Sequence, residues 1–286
     1  MDFPTQMVTV ARVTMTPHAE TPVDPLWWSW EGAHGGWVAG AALTAVRDAF
    51  TGGHRPVRSL TTHFLAPVGT GPLRFFGTAP ATGRSTATCL FTGHQDGEPA
   101  LVGSALFGPR RTGPGYDGLP APDVPGPDDC PPLHLPVEQV PFARQLEIRP
   151  ATADRPLAGG PRAELLAWIR FREGRGLGAA AVTTLADALP PALYARWRTP
   201  RPVPTAELTV HFTDALDDEA PEGWALVRIR TDHAGGGWAV DDSAVWSADR
   251  RLLATGRQAR VVREPRDRRP PGGPGAGQTA AGTVNS

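Results

Sequence analysis

Leu60-Thr61-Thr62-His63-Phe64 recurs as Leu208-Thr209-Val210-His211-Phe212, 148 residues further along the chain. Both copies are rich in β-branched and large apolar residues, as strands are. Each follows a proline closely, Pro56 and Pro204, and each is preceded by a run of small apolar residues. Those runs, Gly36 to Phe50 (GWVAGAALTAVRDAF) and Leu177 to Leu189 (LGAAAVTTLADAL), predict one helix per copy. Behind the first copy come LRFFGTA, STATCLFTGHQ and PALVGSALFG; behind the second come WALVRIRTDH, WAVDDSAVWSA and RLLATGRQARVV. Gln95-Asp96-Gly97-Glu98 and Ser247-Ala248-Asp249-Arg250 read as hairpin tips between such strands. A repeat this long is a duplicated domain rather than a solenoid.

Each unit therefore reads as one helix followed by antiparallel strands. Both helices are too uniformly apolar to lie on a surface. Their Ala and Gly content lets a sheet approach from several sides. The expected fold is α+β, a double hotdog in which each antiparallel sheet wraps a central helix. The segments follow from composition: an N-terminal hotdog over 1–110, a proline-rich connector over 111–141, a C-terminal hotdog over 142–263 and a disordered tail over 264–286. Proline at the density of the connector sustains neither ladder nor helix. The tail is rich in Pro, Gly and Arg with almost no apolar residues.

Composition narrows the function. Of 286 residues, 40% are hydrophobic and 20% charged, with a net charge of −1. This is globular usage without the basic excess that nucleic acid or an anionic membrane would call for. No apolar stretch approaches the roughly 20 residues of a membrane span, and the first residues lack a signal-peptide pattern; a cytoplasmic protein is expected. All 28 basic residues are Arg, as in a protein of a high-GC bacterium. Cys89 and Cys130 stand far apart without His or Cys nearby, so spacing excludes a zinc site or a CxxC pair and leaves a single disulfide open. There is no G-x-S-x-G, HExxH or phosphate-binding loop. His63 and His211, at matching strand positions, read as structural or exposed. The nine Trp read as core and pocket lining, since no basic stripe accompanies them.

From about Gly35 to Val262 the chain resembles the type II acyl-CoA thioesterases, which are double-hotdog enzymes. GGWVAGAAL with VRSLTTHFLAPVG, then FARQLEIRP, AWIRFREG, TTLADALPPALY, PTAELTVHF and LLATGRQARV, follow in the family's order. The resemblance implies hydrolysis of acyl-CoA or another acyl thioester without a metal or other cofactor, in a protein that pairs as a homodimer. It carries the catalytic Asp, Thr and Gln onto Asp187, Thr205 and Gln258. It places Gly35, Gly36 and Trp37 against the substrate. Many members have Gln where Trp37 stands, so a pocket of different size and polarity is expected beside Trp27-Trp28-Ser29-Trp30.

The residues themselves leave two readings open at each position. Asp187 is a lone charge among Leu185, Ala186, Ala188 and Leu189, either buried for use or exposed on a last turn before Pro190-Pro191. Strand parity groups Gln258 with Leu252, Ala254 and Gly256, where a buried amide needs a partner; the alternative is an exposed strand end. Parity puts Thr205 with Glu207, Thr209 and His211 on a more polar face. Matching LVGSALF to LLATGRQ sets Phe107 opposite Gln258, and the 148-residue shift sets Val57 opposite Thr205. The first half would then lack two of the three polar groups, which implies one site per chain.

Thioester hydrolysis needs a positioned water, a proton acceptor and donors for the oxyanion. Asp187 would be the base, and Thr205 and Gln258 would hold water. Amides at Gly35-Gly36 or at Gly176 to Gly178 would face the oxyanion. The rival reading is a reused double hotdog, binding a ligand or acting on carrier-bound, polyketide-like acyl groups.

Overall fold

The computed structural model describes residues 17–83, 85–217 and 220–264. The tail expected beyond Glu264 and the first 16 residues lie outside them. Strands β1 (Ala19–Val23), β2 (Trp28–Ser29) and β3 (Gly32–Ala33) lead into helix α1 (Gly35–Thr51). Then come β4 (Val57–Phe64), β5 (Gly71–Thr82), β6 (Ala87–Gln95) and β7 (Glu98–Phe107). The second half has β8 (Leu146–Pro150), β9 (Glu164–Phe171), helix α2 (Ala179–Ala186), β10 (Thr205–Phe212), β11 (Ala225–Gly235), β12 (Trp238–Ser247) and β13 (Leu252–Val261). This is the double hotdog.

Except for the β2–β3 pair, every strand joins one antiparallel sheet, ordered β1-β5-β6-β7-β4-β10-β13-β12-β11-β9-β8. The repeated pentapeptides meet at its centre. Thr61 lies opposite Thr209 in the β4–β10 register, and their hydroxyls are 3.0 Å apart. A local two-fold axis thus passes between two copies of one residue. Leu60 and Leu208 are both buried, whereas His63 and His211 are exposed as expected.

Both helices lie inside the curved sheet, and α1 crosses α2 in antiparallel sense. At Gly36 an added Cβ would stand 2.9 Å from the Thr183 carbonyl, and at Gly40 it would stand 2.7 Å from the Ala180 carbonyl. These two positions, four apart and on one face of α1, admit only glycine at this spacing. The core behind them includes Val38, Leu43, Leu60, Phe75, Phe107, Leu185 and Leu208. Helix α2 is shorter than its sequence suggested, and Asp187 is its C-cap residue rather than part of the helix.

The proline-rich segment is packed. Leu119, Ala121 and Val124 cover Trp168, Leu226 and Trp246 on the outer face of the second half. The indole N–H of Trp246 donates to the Leu119 carbonyl at 3.0 Å, and that of Trp168 donates to the Pro125 carbonyl at 2.8 Å. Cys89 and Cys130 are free and buried. No described helix is long and apolar enough to cross a membrane.

The crossing makes a direct prediction. Gly40→Ala should lower the unfolding free energy by about 1–3 kcal/mol, the range for overpacking a tight contact, because the obstacle is backbone. Denaturant unfolding measures it; a stability equal to wild type would mean that the helices separate freely.

Candidate active site

Three elements meet at Asp187. Its position at the end of α2 faces the start of α1, and its carboxylate is buried between them and β13. Oδ2 accepts the Gly36 N–H at 2.9 Å. A helix N-terminus favours an anion at this distance. Oδ1 accepts from Arg260 Nη2 at 3.1 Å. A buried carboxylate needs such partners to remain charged.

His34 caps α1. Its Nδ1 accepts the Trp37 N–H at 3.1 Å, so the ring proton sits on Nε2, which donates to the Asp187 carbonyl at 3.0 Å. Nε2 is also 3.8 Å from Oδ2 of the same residue. Burial pushes the His34 pKa below its ordinary value, although the Asp187 charge and carbonyl oppose that shift. The neutral ring agrees with the tautomer that the hydrogen bonds demand. Phe142 packs on the ring with centroids 4.3 Å apart.

Thr205 and Gln258 complete the cluster from β10 and β13. Thr205 Oγ1 donates to Gln258 Oε1 at 3.2 Å and accepts from Arg260 Nη1 at 2.9 Å. Gln258 Nε2 reaches the Ala186 carbonyl at 3.4 Å. Asp187, Thr205 and Gln258 are thus gathered in one place, but Asp187 is joined to the other two through Arg260 and the Ala186 carbonyl. Asp241, buried on β12, holds the far side of Arg260, with its Oδ2 2.9 Å from Nε. That contact is a charge pairing rather than an aligned hydrogen bond. Its Oδ1 accepts from the Thr231 hydroxyl at 2.6 Å.

Simple parity misplaced several residues. The β10–β13 register shifts between Thr205 and Glu207, so Thr205 lies opposite Arg260. This bulge turns Thr205 from the polar face to the buried one. A second shift, at Val245/Trp246, leaves Leu253 as the extra residue; Leu252 packs on the outer cluster while Ala254 faces the main core. The first half has the same bulge, with Val57 opposite Phe107. Leu60 pairs with Ala105 there as Leu208 pairs with Gln258. Ala105, not Phe107, is therefore the counterpart of Gln258, and Phe107 is that of Arg260. Val57, Ala105 and Phe107 stand where the second half has Thr205, Gln258 and Arg260, so the first half has no comparable polar cluster.

Gly35 and Gly36 lie beside Asp187; a Cβ on Gly35 would be 3.1 Å from Oδ2. Gly178 is the N-cap of α2, at the opposite end of that helix from Asp187, so the alternative at Gly176 to Gly178 is remote from the carboxylate. Trp37 stacks on Trp27 with centroids 5.9 Å apart. It lines an open groove of about 580 Å³ together with Gly40, Ala41, Thr44, Asp48 and Thr184 among others. From Trp37 to Asp48 the groove follows α1 for roughly 16 Å at the helical rise. Among the described residues no group of His, Cys, Asp and Glu could hold a metal ion.

His34, Asp241 and Arg260 are site members that the sequence reading did not name. Arg260 had a signal, since it shares strand parity with Gln258.

Burial of a neutral His34 couples stability to pH. Its folded pKa lies below its ordinary value of 6.5, so the unfolded chain takes up the proton first as pH falls. The stability from a neutral His34 is present above about 6.5 and declines below it, by at most about 1.4 kcal/mol per pH unit. In His34→Gln the slope of unfolding free energy against pH below 6.5 should be shallower by up to one proton; equal slopes would refute the coupling.

Comparison with known proteins agrees with this architecture. Residues 24–108 match the sequence model of the acyl-CoA thioesterase N-terminal domain, and residues 127–262 match that of the C-terminal domain. A search of curated proteins found no match. A hotdog-fold protein of unknown function from Alicyclobacillus acidocaldarius is 27% identical, with a TM-score of 0.80 over 86% of this chain and 93% of that one. A protein provisionally described as a thioesterase, from Novosphingobium aromaticivorans, is 25% identical, with a TM-score of 0.73 over 86% and 95%. An acyl-CoA thioesterase II from Mycobacterium marinum shares the fold at 22% identity, with a TM-score of 0.65 over 81% and 90%. With both halves matched in order along most of its length, the chain belongs to the acyl-CoA thioesterase family and is a thioester hydrolase.

Proposed function

We propose that this thioesterase hydrolyses acyl-CoA with a water activated at Asp187. The water gives a proton to the carboxylate as its oxygen attacks the thioester carbonyl carbon. The tetrahedral intermediate collapses with loss of the C–S bond, and the thiolate takes the proton back from Asp187. The products are a carboxylic acid and CoA, and no acyl-enzyme forms. Thr205 and Gln258 hold the water. Gly35 N–H, an amide of the α1 start that neither Asp187 nor His34 engages, faces the carbonyl oxygen. The groove along α1 receives the substrate's chain, with the Trp27–Trp37 stack limiting its width.

The single observation that carries this reading is the carboxylate of Asp187, buried yet fixed by Gly36 N–H at 2.9 Å and by Arg260 at 3.1 Å, beside Thr205 and Gln258. A binding module has no use for such a group, whose burial costs several kcal/mol. The test is CoA thiol release from acyl-CoAs of increasing length. Asp187→Asn should lower kcat by about 10²–10⁴-fold, the range for a general base, with the folded state retained. Undiminished turnover would dismiss Asp187 as the base. Folded protein inert toward every acyl-CoA would favour the second reading, action on carrier-bound acyl groups, which the indole stack beside the groove makes specific.

A further inference from the structure

Arg260 is among the most deeply buried charges in the chain, at 4% exposure, and its nitrogens serve three groups from three elements. Nη2 donates to Asp187 at the end of α2. Nη1 donates to Thr205 at the start of β10. Nε faces Asp241 on β12 at 2.9 Å. A planar fork of fixed donors fits this task, and a lysine ammonium does not.

The fork also sets a direction. A guanidinium only donates, so Thr205 Oγ1 must accept from Nη1 and send its own proton onward. That proton goes to Gln258 Oε1 at 3.2 Å. With its oxygen so engaged, the Gln258 amide points Nε2 at the Ala186 carbonyl. The chain of donors thus runs from Arg260 through Thr205 and Gln258 to the residue next to Asp187. The charges are matched as well. One cation lies between two buried carboxylates, and the excess negative charge is met by the α1 N-terminus at Asp187 and by the Thr231 hydroxyl at Asp241.

We propose that Arg260 is the positioning residue of this site, orienting the Asp187 carboxylate and fixing which way the Thr205 hydroxyl and Gln258 amide point, with Asp241 as the anion that holds Arg260 in place. The inference rests on the hydrolytic reading of Asp187. It assigns Arg260 no contact with substrate.

The test compares wild type, Asp187→Asn, Arg260→Gln, Arg260→Lys and the Asp187→Asn/Arg260→Gln double variant in kcat and KM on the acyl-CoA turned over best. Arg260→Gln should lose about 10²-fold in kcat, the scale for a misplacement near 1 Å, with KM within about two-fold. Lysine should recover part of the loss. If Arg260 acts through Asp187 and its neighbours Thr205 and Gln258, the double variant loses far less than the product of the two single losses; a merely structural role would multiply the two losses and overturn the proposal. So would an Arg260→Gln enzyme with wild-type kcat beside an inactive Asp187→Asn. Should Arg260→Gln fail to fold, Arg260→Met with Asp241→Leu removes both charges together, which buried pairs commonly tolerate, and the same fall in kcat is expected. An Asp187→Asn enzyme as fast as wild type identifies the hydrolytic reading as the failure. The orientation is read without turnover in the side-chain amide resonances of Gln258. They should shift in Arg260→Gln, and unchanged resonances would overturn the proposal.

Discussion

The distance between the two central helices governs this site. α1 meets α2 closely enough that Gly36 and Gly40 face backbone carbonyls of the other helix with no room for a side chain. That proximity brings the positive end of α1 onto the carboxylate that ends α2, so a packing constraint and an electrostatic one are satisfied by the same residues. A wider crossing would leave Asp187 buried without the Gly36 N–H, and a buried carboxylate that loses a hydrogen-bond donor is costly. The Gly36 N–H bond to the buried Asp187 carboxylate thus depends on a helix spacing that only glycine at positions 36 and 40 allows.

The duplicated architecture explains how one site arises from two similar halves. The local two-fold axis at Thr61 and Thr209 relates β4-β7-β6-β5-β1 to β10-β13-β12-β11-β9, with β8 added at the second edge, and gives each half the same bulge after its first central-strand residue. In the second half the bulge turns Thr205 toward Arg260. In the first half it turns Val57 toward Phe107. The same backbone device therefore serves a polar cluster on one side and an apolar core on the other. The duplication supplies a common frame, and a few side chains decide which copy carries the polar cluster.

The fold was largely legible because its signals are local and repeated: two pentapeptides, two small-residue helices and turn residues at hairpin tips. The family resemblance singles out Asp187, Thr205 and Gln258 together, and the structure places them in one cluster. What strict alternation could not supply was the register. A bulge inserts one residue without any mark in the sequence, so Thr205 was assigned to the polar face and Phe107 to the place of Ala105. Likewise the end of α2 moved to Ala186, so that Asp187 is the cap of the helix rather than part of it. The proline-rich segment was recognisable as irregular. Its packing over Trp168 and Trp246 was not, since nothing in a run of prolines names the indoles that donate to its carbonyls.

Arg260 shows why a site is more than its reactive groups. A buried cation beside a buried carboxylate offsets the cost of desolvating both charges and fixes the direction in which the carboxylate points. Asp241 shares the guanidinium, 2.9 Å from its Nε. With Nε turned to Asp241, only one terminal nitrogen reaches Asp187, and the other is committed to Thr205. Asp187 consequently receives one bond from the guanidinium rather than a bidentate clamp, and each of its oxygens retains a lone pair for water. The second carboxylate, on β12, thus sets how much of the guanidinium the first one receives.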